Sequence, residues 1–147
     1  MVAFTKIEPQ QTLFASGTVI FEPSTYNGTG LEVRKSLVLR LDEETRARLV
    51  DIETPFDLSS SVVRDEQVRV KVDLGVVQCY DQGHNKIEPP ALWVNHCVDV
   101  KLVIRGIWKS SSSSGLCVSC VAVRFRDGGQ SFPFREAQEG ATTTETR

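Results

Sequence analysis

Residues 98–128 read VDVKLVIRGIWKSSSSSGLCVSCVAVRFRDG, and this stretch decides the fold. In its first part Val98, Val100, Leu102, Ile104, Gly106 and Trp108 alternate with Asp99, Lys101, Val103, Arg105 and Ile107, the period of two expected of a half-buried strand. After five consecutive serines, residues 116–125 are rich in Val and Cys and read as a second strand. The two form a long hairpin with a mobile polar tip. Upstream, residues 66–74 repeat the alternation, with Val68, Val70, Val72 and Leu74 on one face and Arg69, Lys71 and Asp73 on the other. Residues 76–80 continue the sheet after a bend at Gly75, residues 81–86 form a turn, and Pro89 and Pro90 forbid regular pairing. Further back, residues 13–21 and 31–41 read as strands separated by a turn-rich run that holds Pro23, Asn27, Gly28 and Gly30.

One segment departs from this pattern. Residues 42–53, DEETRARLVDIE, lack Gly and Pro and open on acids that suit a helix N-terminus, so they predict a short helix capped by Asp42 and ended by Pro55. Strands plus this helix predict a mainly β fold, a small antiparallel five- to six-stranded OB-like barrel with one short helix. It forms a single domain over residues 1–137. Residues 138–147 contain four threonines and almost no apolar side chain, which predicts a polar flexible tail.

Composition narrows the function. The chain of 147 residues is 40% hydrophobic, too apolar for wholesale disorder, and holds no run of the roughly 18 apolar residues that a membrane span needs. MVAFTKIEPQ at the N-terminus lacks an apolar core behind a basic start, which predicts an intracellular, non-secreted protein with its four cysteines as thiols. A net charge of −2 excludes a histone-like coating of duplex DNA, but its distribution is uneven. Residues 64–126 carry 9 basic and 6 acidic residues, residues 1–63 carry 6 and 9, and the remainder carries 2 and 4.

No enzyme is predicted. His84 and His96 belong to no catalytic or metal spacing and read as surface histidines, and neither a P-loop nor a dinucleotide fingerprint can be written on the chain. Cys117 and Cys120 make one C-x2-C, but within a strand positions three apart face opposite ways, so all four cysteines read as small core side chains. No cofactor or metal is expected. A basic and aromatic set is more informative: with the Val positions inside, Arg69, Lys71, Lys101 and Arg105 project outward and can line one groove. Single-stranded nucleic acid needs such cations for phosphates and exposed rings for bases. Trp108, beside the serine tip, is the ring best placed to stack, although its phase also matches the core residues of its strand. Tyr80, Trp93 and Phe125 are further rings, and Lys109, Arg124 and Arg126 extend the cationic track.

At residues 98–128, and at 68–87 (VRVKVDLGVVQCYDQGHNKI), the chain resembles OB-fold single-stranded DNA-binding proteins of large double-stranded DNA viruses and some phages. The resemblance rests on a long strand ending in a Gly, aromatic and basic cluster, a flexible loop, and a Val-rich returning strand. It implies non-catalytic binding of single-stranded DNA during replication or recombination. Arg69, Lys71, Lys101, Arg105 and Lys109 would then contact phosphates, and Tyr80 and Trp108 would stack on bases. Two departures stand out: the tail TTTETR has few acids, and the helix falls after the second strand instead of after the third. A virion structural or assembly protein, packed through its β-domain and arms, is the alternative. A homo-oligomer suits either reading, and no membrane partner is expected.

Overall fold

The computed structural model describes residues 3–25 and 34–126. It is mainly β. Among the described residues nine strands follow in order: β1 (Ala3–Val19), β2 (Ser24–Thr25), β3 (Arg34–Leu41), then the helix α1 (Glu43–Glu53), β4 (Val63–Arg64), β5 (Gln67–Asp73), β6 (Gln78–Tyr80), β7 (Lys86–Ile87), β8 (Cys97–Lys109) and β9 (Ser114–Phe125). Residues 26–33, which hold most of the expected turn-rich run and the start of the strand expected at 31–41, and the polar tail expected at 138–147 lie outside the described residues.

Five strands close a ring. β1 pairs β3, β3 pairs β5, β5 pairs β9, β9 pairs β8, and β8 returns to β1. The expected antiparallel sheet is in fact mixed, because β5 and β6 both run parallel to β9, β5 at Ser119 and Cys120 in its middle and β6 at Ala122 to Arg124 in its second half. The parallel β5 contact is what shuts the ring. A short arm of β1 makes the closure on the other side: only Gly17, Thr18 and Val19 reach β3, opposite Leu41, Arg40 and Leu39. A Cβ at Gly17 would overlap the Arg40 carbonyl oxygen, so the approach of the two backbones requires glycine there.

The interior takes the apolar alternation of each strand. Val68, Val70 and Val72 of β5 meet Val98, Val100, Leu102 and Ile104 of β8 and Leu116, Val118, Cys120 and Val123 of β9. Leu49 of α1 joins this core, which gives the helix its packing against the barrel. The Asp42 side chain makes no cap hydrogen bond, although Asp42 occupies the N-cap position and its carbonyl accepts from the Arg46 N–H. At one end Trp93 packs edge-on against Phe125 with ring centroids 5.2 Å apart, and His96 does the same from 5.4 Å. His96 is therefore a core residue and not a surface one, 1% exposed.

The first half of β1 was invisible in the pattern. Residues 3–12 lack period-two apolarity, and they form strand because β8 runs past the barrel and offers them a partner, from Ala3 opposite Lys109 to Lys6 opposite Gly106. The mobile tip expected between β8 and β9 is instead a bonded turn. Ser110 N–H donates to the Ser113 carbonyl, and the Ser114 carbonyl accepts from Ser60 N–H and from the hydroxyls of Ser59 and Ser60.

Candidate nucleic-acid interface

The outer surface is ordered by register into rows that cross the sheet. One row is Thr12, Val103, Ser119, Lys71 and Ser36, and another is Phe14, Lys101, Ala122 and Gln78. A third is Ser16, Asp99, Arg124, Tyr80 and Lys86. Side-chain bonds confirm that these share a face. Ser16 donates its hydroxyl to Asp99 over 2.6 Å, and Arg124 donates from Nε to the same carboxylate over 3.1 Å.

A bulge decides the fate of Trp108. The β8 to β9 register slips between Ile104 and Gly106, so Ile104 faces Val118 while Gly106 faces Cys117. Arg105 is the extra residue. Past it the phase reverses: Ile107 enters the core, and Trp108 turns to the outer face beside Phe4, which is 53% exposed. The simple alternation, which placed Gly106 and Trp108 with the core residues and Ile107 with the solvent, fails at this point. Gly115 makes the new position feasible. A Cβ there would stand 2.7 Å from the indole Nε1, so the Trp108 ring lies across a bare backbone and is half-buried.

The expected site residues then fall into three groups. Arg105 donates from Nε to the Ser119 hydroxyl over 3.0 Å, and Lys71 is the register partner of Ser119, so these two cations flank one serine with Arg69 exposed two residues along β5. Lys101 and Tyr80 line a groove of about 960 Å³ with Phe14, Arg48, His84 and Arg124. Trp108 ends the outer face of β8, and Lys109 after it is exposed on the side of Ile107 by strand alternation. Lys109 thus does not join the others. Nor do Trp93 and Phe125, both of which are core.

Arg124 is committed within the fold. Its guanidinium holds Asp99 from two nitrogens and the Gln82 carbonyl from the third, and Arg126 approaches Asp99 to 3.9 Å. Burial opposes ionisation of Asp99, but the Ser16 hydroxyl and the two guanidiniums outweigh it and keep its carboxyl below the usual range. In the turn between β6 and β7, hydrogen bonds led by the Asn85 N–H likewise lower Asp81. Among the thiols, Cys79 is pushed up to about 11 and Cys120 to about 12, in both cases mainly by burial. That suits core packing rather than ligation, and Cys97 is the exception on the surface. Among the described residues no three His, Cys, Asp or Glu gather as a metal site, and no helix is long and apolar enough to cross a membrane.

Phe14 is the functional candidate that pattern reading missed. It is 75% exposed and pairs directly with Lys101, a ring and a cation side by side on open sheet. The signal was present in Leu13-Phe14-Ala15, where Leu13 belongs to the core and alternation sends Phe14 outward.

The chain has no match among protein-family models, curated proteins or solved structures.

Proposed function

We propose that the protein binds single-stranded nucleic acid, DNA in the first instance, along the outer face of β8, without catalysis. The observation that carries this reading is the Arg105 bulge, which places Trp108 on the same face as Lys101 and Arg105. Lys101 and Trp108 are seven residues apart, about 23 Å at roughly 3.3 Å per residue, long enough for a strand of several nucleotides. Lys101, Arg105, Lys71 and Arg69 serve phosphates along this track. Trp108 at one end and Phe14 with Tyr80 at the other offer rings for stacking.

The ring order supports an OB-like reading. Such barrels bind oligonucleotides on the face of their second and third strands and the adjoining loops, here β3 and β5; of the proposed track β5 carries Arg69 and Lys71, whereas Lys101, Arg105 and Trp108 lie on β8, the fourth strand of the ring. The position of α1 between those two strands remains a departure from that architecture. Anisotropy of labelled oligo-dT and its matched duplex, read at two salt concentrations, tests the function. Preference for the single strand, weakening with salt, is the expected result, and absence of binding at low salt would remove the proposal. Tryptophan emission gives a second reading from the same samples. Trp93 is 2% exposed, so quenching by the oligonucleotide reports Trp108.

A further inference from the structure

Two aromatic rings on the outer face are seated over glycines. The Trp108 indole lies across Gly115 of β9, and the Phe4 ring, coming from β1, reaches over Gly106 of β8, its Cζ 2.8 Å from where a Cβ would stand. Phe4 and Trp108 are direct register partners, so both rings lean in the same direction, each onto the next strand of the sheet. A side chain at Gly106 would also overlap the Thr5 carbonyl oxygen. Cys117, the register partner of Gly106 and two residues from Gly115, adjoins both seats on this face and is small. The opposite face of the same segment carries Ile107 and Leu116, both core, so apolar burial is served on that side. On the outer side Phe4 stays 53% exposed and Trp108 half-buried, each with bare backbone beneath it.

We propose that Phe4 and Trp108 form one subsite that seats two neighbouring bases of a single strand, with Phe4 as a second stacking ring and Lys6 as the phosphate contact beside it; this rests on the function proposed above. The two glycine seats are one strand apart across the sheet and two residues apart along it, about 5 Å by about 7 Å, or about 8 Å on the diagonal. Bases stacked on one another are only about 3.4 Å apart, so each ring takes its own base, splayed from the next. Lys6 stands opposite Gly106 in the register and two residues from Phe4, on the same face. Its Nζ holds the Glu8 carboxylate over 2.9 Å with both side chains more than half exposed, and an exposed pair of this kind is weak enough for a phosphate to displace the carboxylate. The strand that follows β8 from Lys101 to Trp108 thus continues onto the start of β1, and Phe4 sets where it ends.

Substitutions at Phe4 in the full chain, titrated with oligo-dT at fixed low salt, test this. Phe4→Leu keeps an apolar cover on Gly106 but has no ring face, and it should weaken binding at least about fivefold with the urea midpoint unchanged, whereas Phe4→Tyr should stay within about twofold of the wild type. The double variant Phe4→Trp/Trp108→Phe moves the exposed indole to position 4, and with Trp93 in the core its emission reports that position alone. Saturating oligo-dT should quench it. Wild-type affinity in Phe4→Leu, or binding by the double variant seen in anisotropy without quenching, would overturn the subsite and leave the proposed function standing. Absence of binding by the wild type would remove both.

Discussion

At the scale of single residues, Trp108 and Asp99 divide the outer face between them. Trp108 lies flat on Gly115, and base stacking is worth roughly 1 to 3 kcal/mol per base, so Trp108→Ala should weaken oligo-dT binding about 5- to 150-fold. Fluorescence anisotropy at fixed salt measures this, and unfolding by urea should change little because the ring is outside the core. Asp99 has a structural task. Its folded pKa is lowered, so the stability it contributes is complete above its unfolded value of about 3.9 and is lost as pH falls through the folded value. Asp99→Asn should therefore flatten the acid limb of stability, seen as a smaller drop in the urea midpoint between pH 6 and pH 3 than in the wild type. The cations were legible as outward-facing from alternation with Val. The orientation of Trp108 was not, because a bulge is a matter of pairing between two strands and leaves no mark on the period of one.

Elements show a similar division. β5, β8, β9 and α1 were readable because each buries a regular stripe: Val68, Val70 and Val72 in one case, Leu49 on the helix in another. The N-terminal half of β1 was not, since it carries no regular apolar stripe and is held in the sheet by pairing with β8 at Ala3 to Lys6 and again from Gln11, on either side of a register break. The turn at the serines departs from the expected mobile tip for a related reason. Polar composition suggested mobility, but the bonds that fix Ser114 come from Ser59 and Ser60, over fifty residues away in sequence. Ring closure by β1 depends on Gly17, where any side chain would meet the Arg40 carbonyl. Gly17→Val should cost about 1 to 3 kcal/mol, the usual range for overpacking, read as a lower urea midpoint. A variant as stable as the wild type would mean that β1 and β3 can separate without loss.

For the molecule as a whole, mainly β character and a barrel-like ring follow from the strand patterns, whereas the closing contact, β5 parallel to β9, joins segments about fifty residues apart and has no local signature. Net charge is a poor guide to the surface at this scale. The chain carries −2, yet Lys71, Arg69, Lys101 and Arg105 share the outer face while Asp99 is occupied by Arg124. If these four cations contact phosphates, the logarithm of affinity should fall with the logarithm of salt with a slope near −3, at roughly 0.7 per single-strand phosphate. Replacing Lys71 alone should bring that slope closer to zero by about 0.7. The most direct test of the central claim is the anisotropy titration of oligo-dT with the triple variant Lys101→Ala/Arg105→Ala/Trp108→Ala beside the wild type at low salt. The account predicts salt-sensitive binding by the wild type and loss of at least about a hundredfold in the folded variant. Undiminished binding by the variant would contradict it.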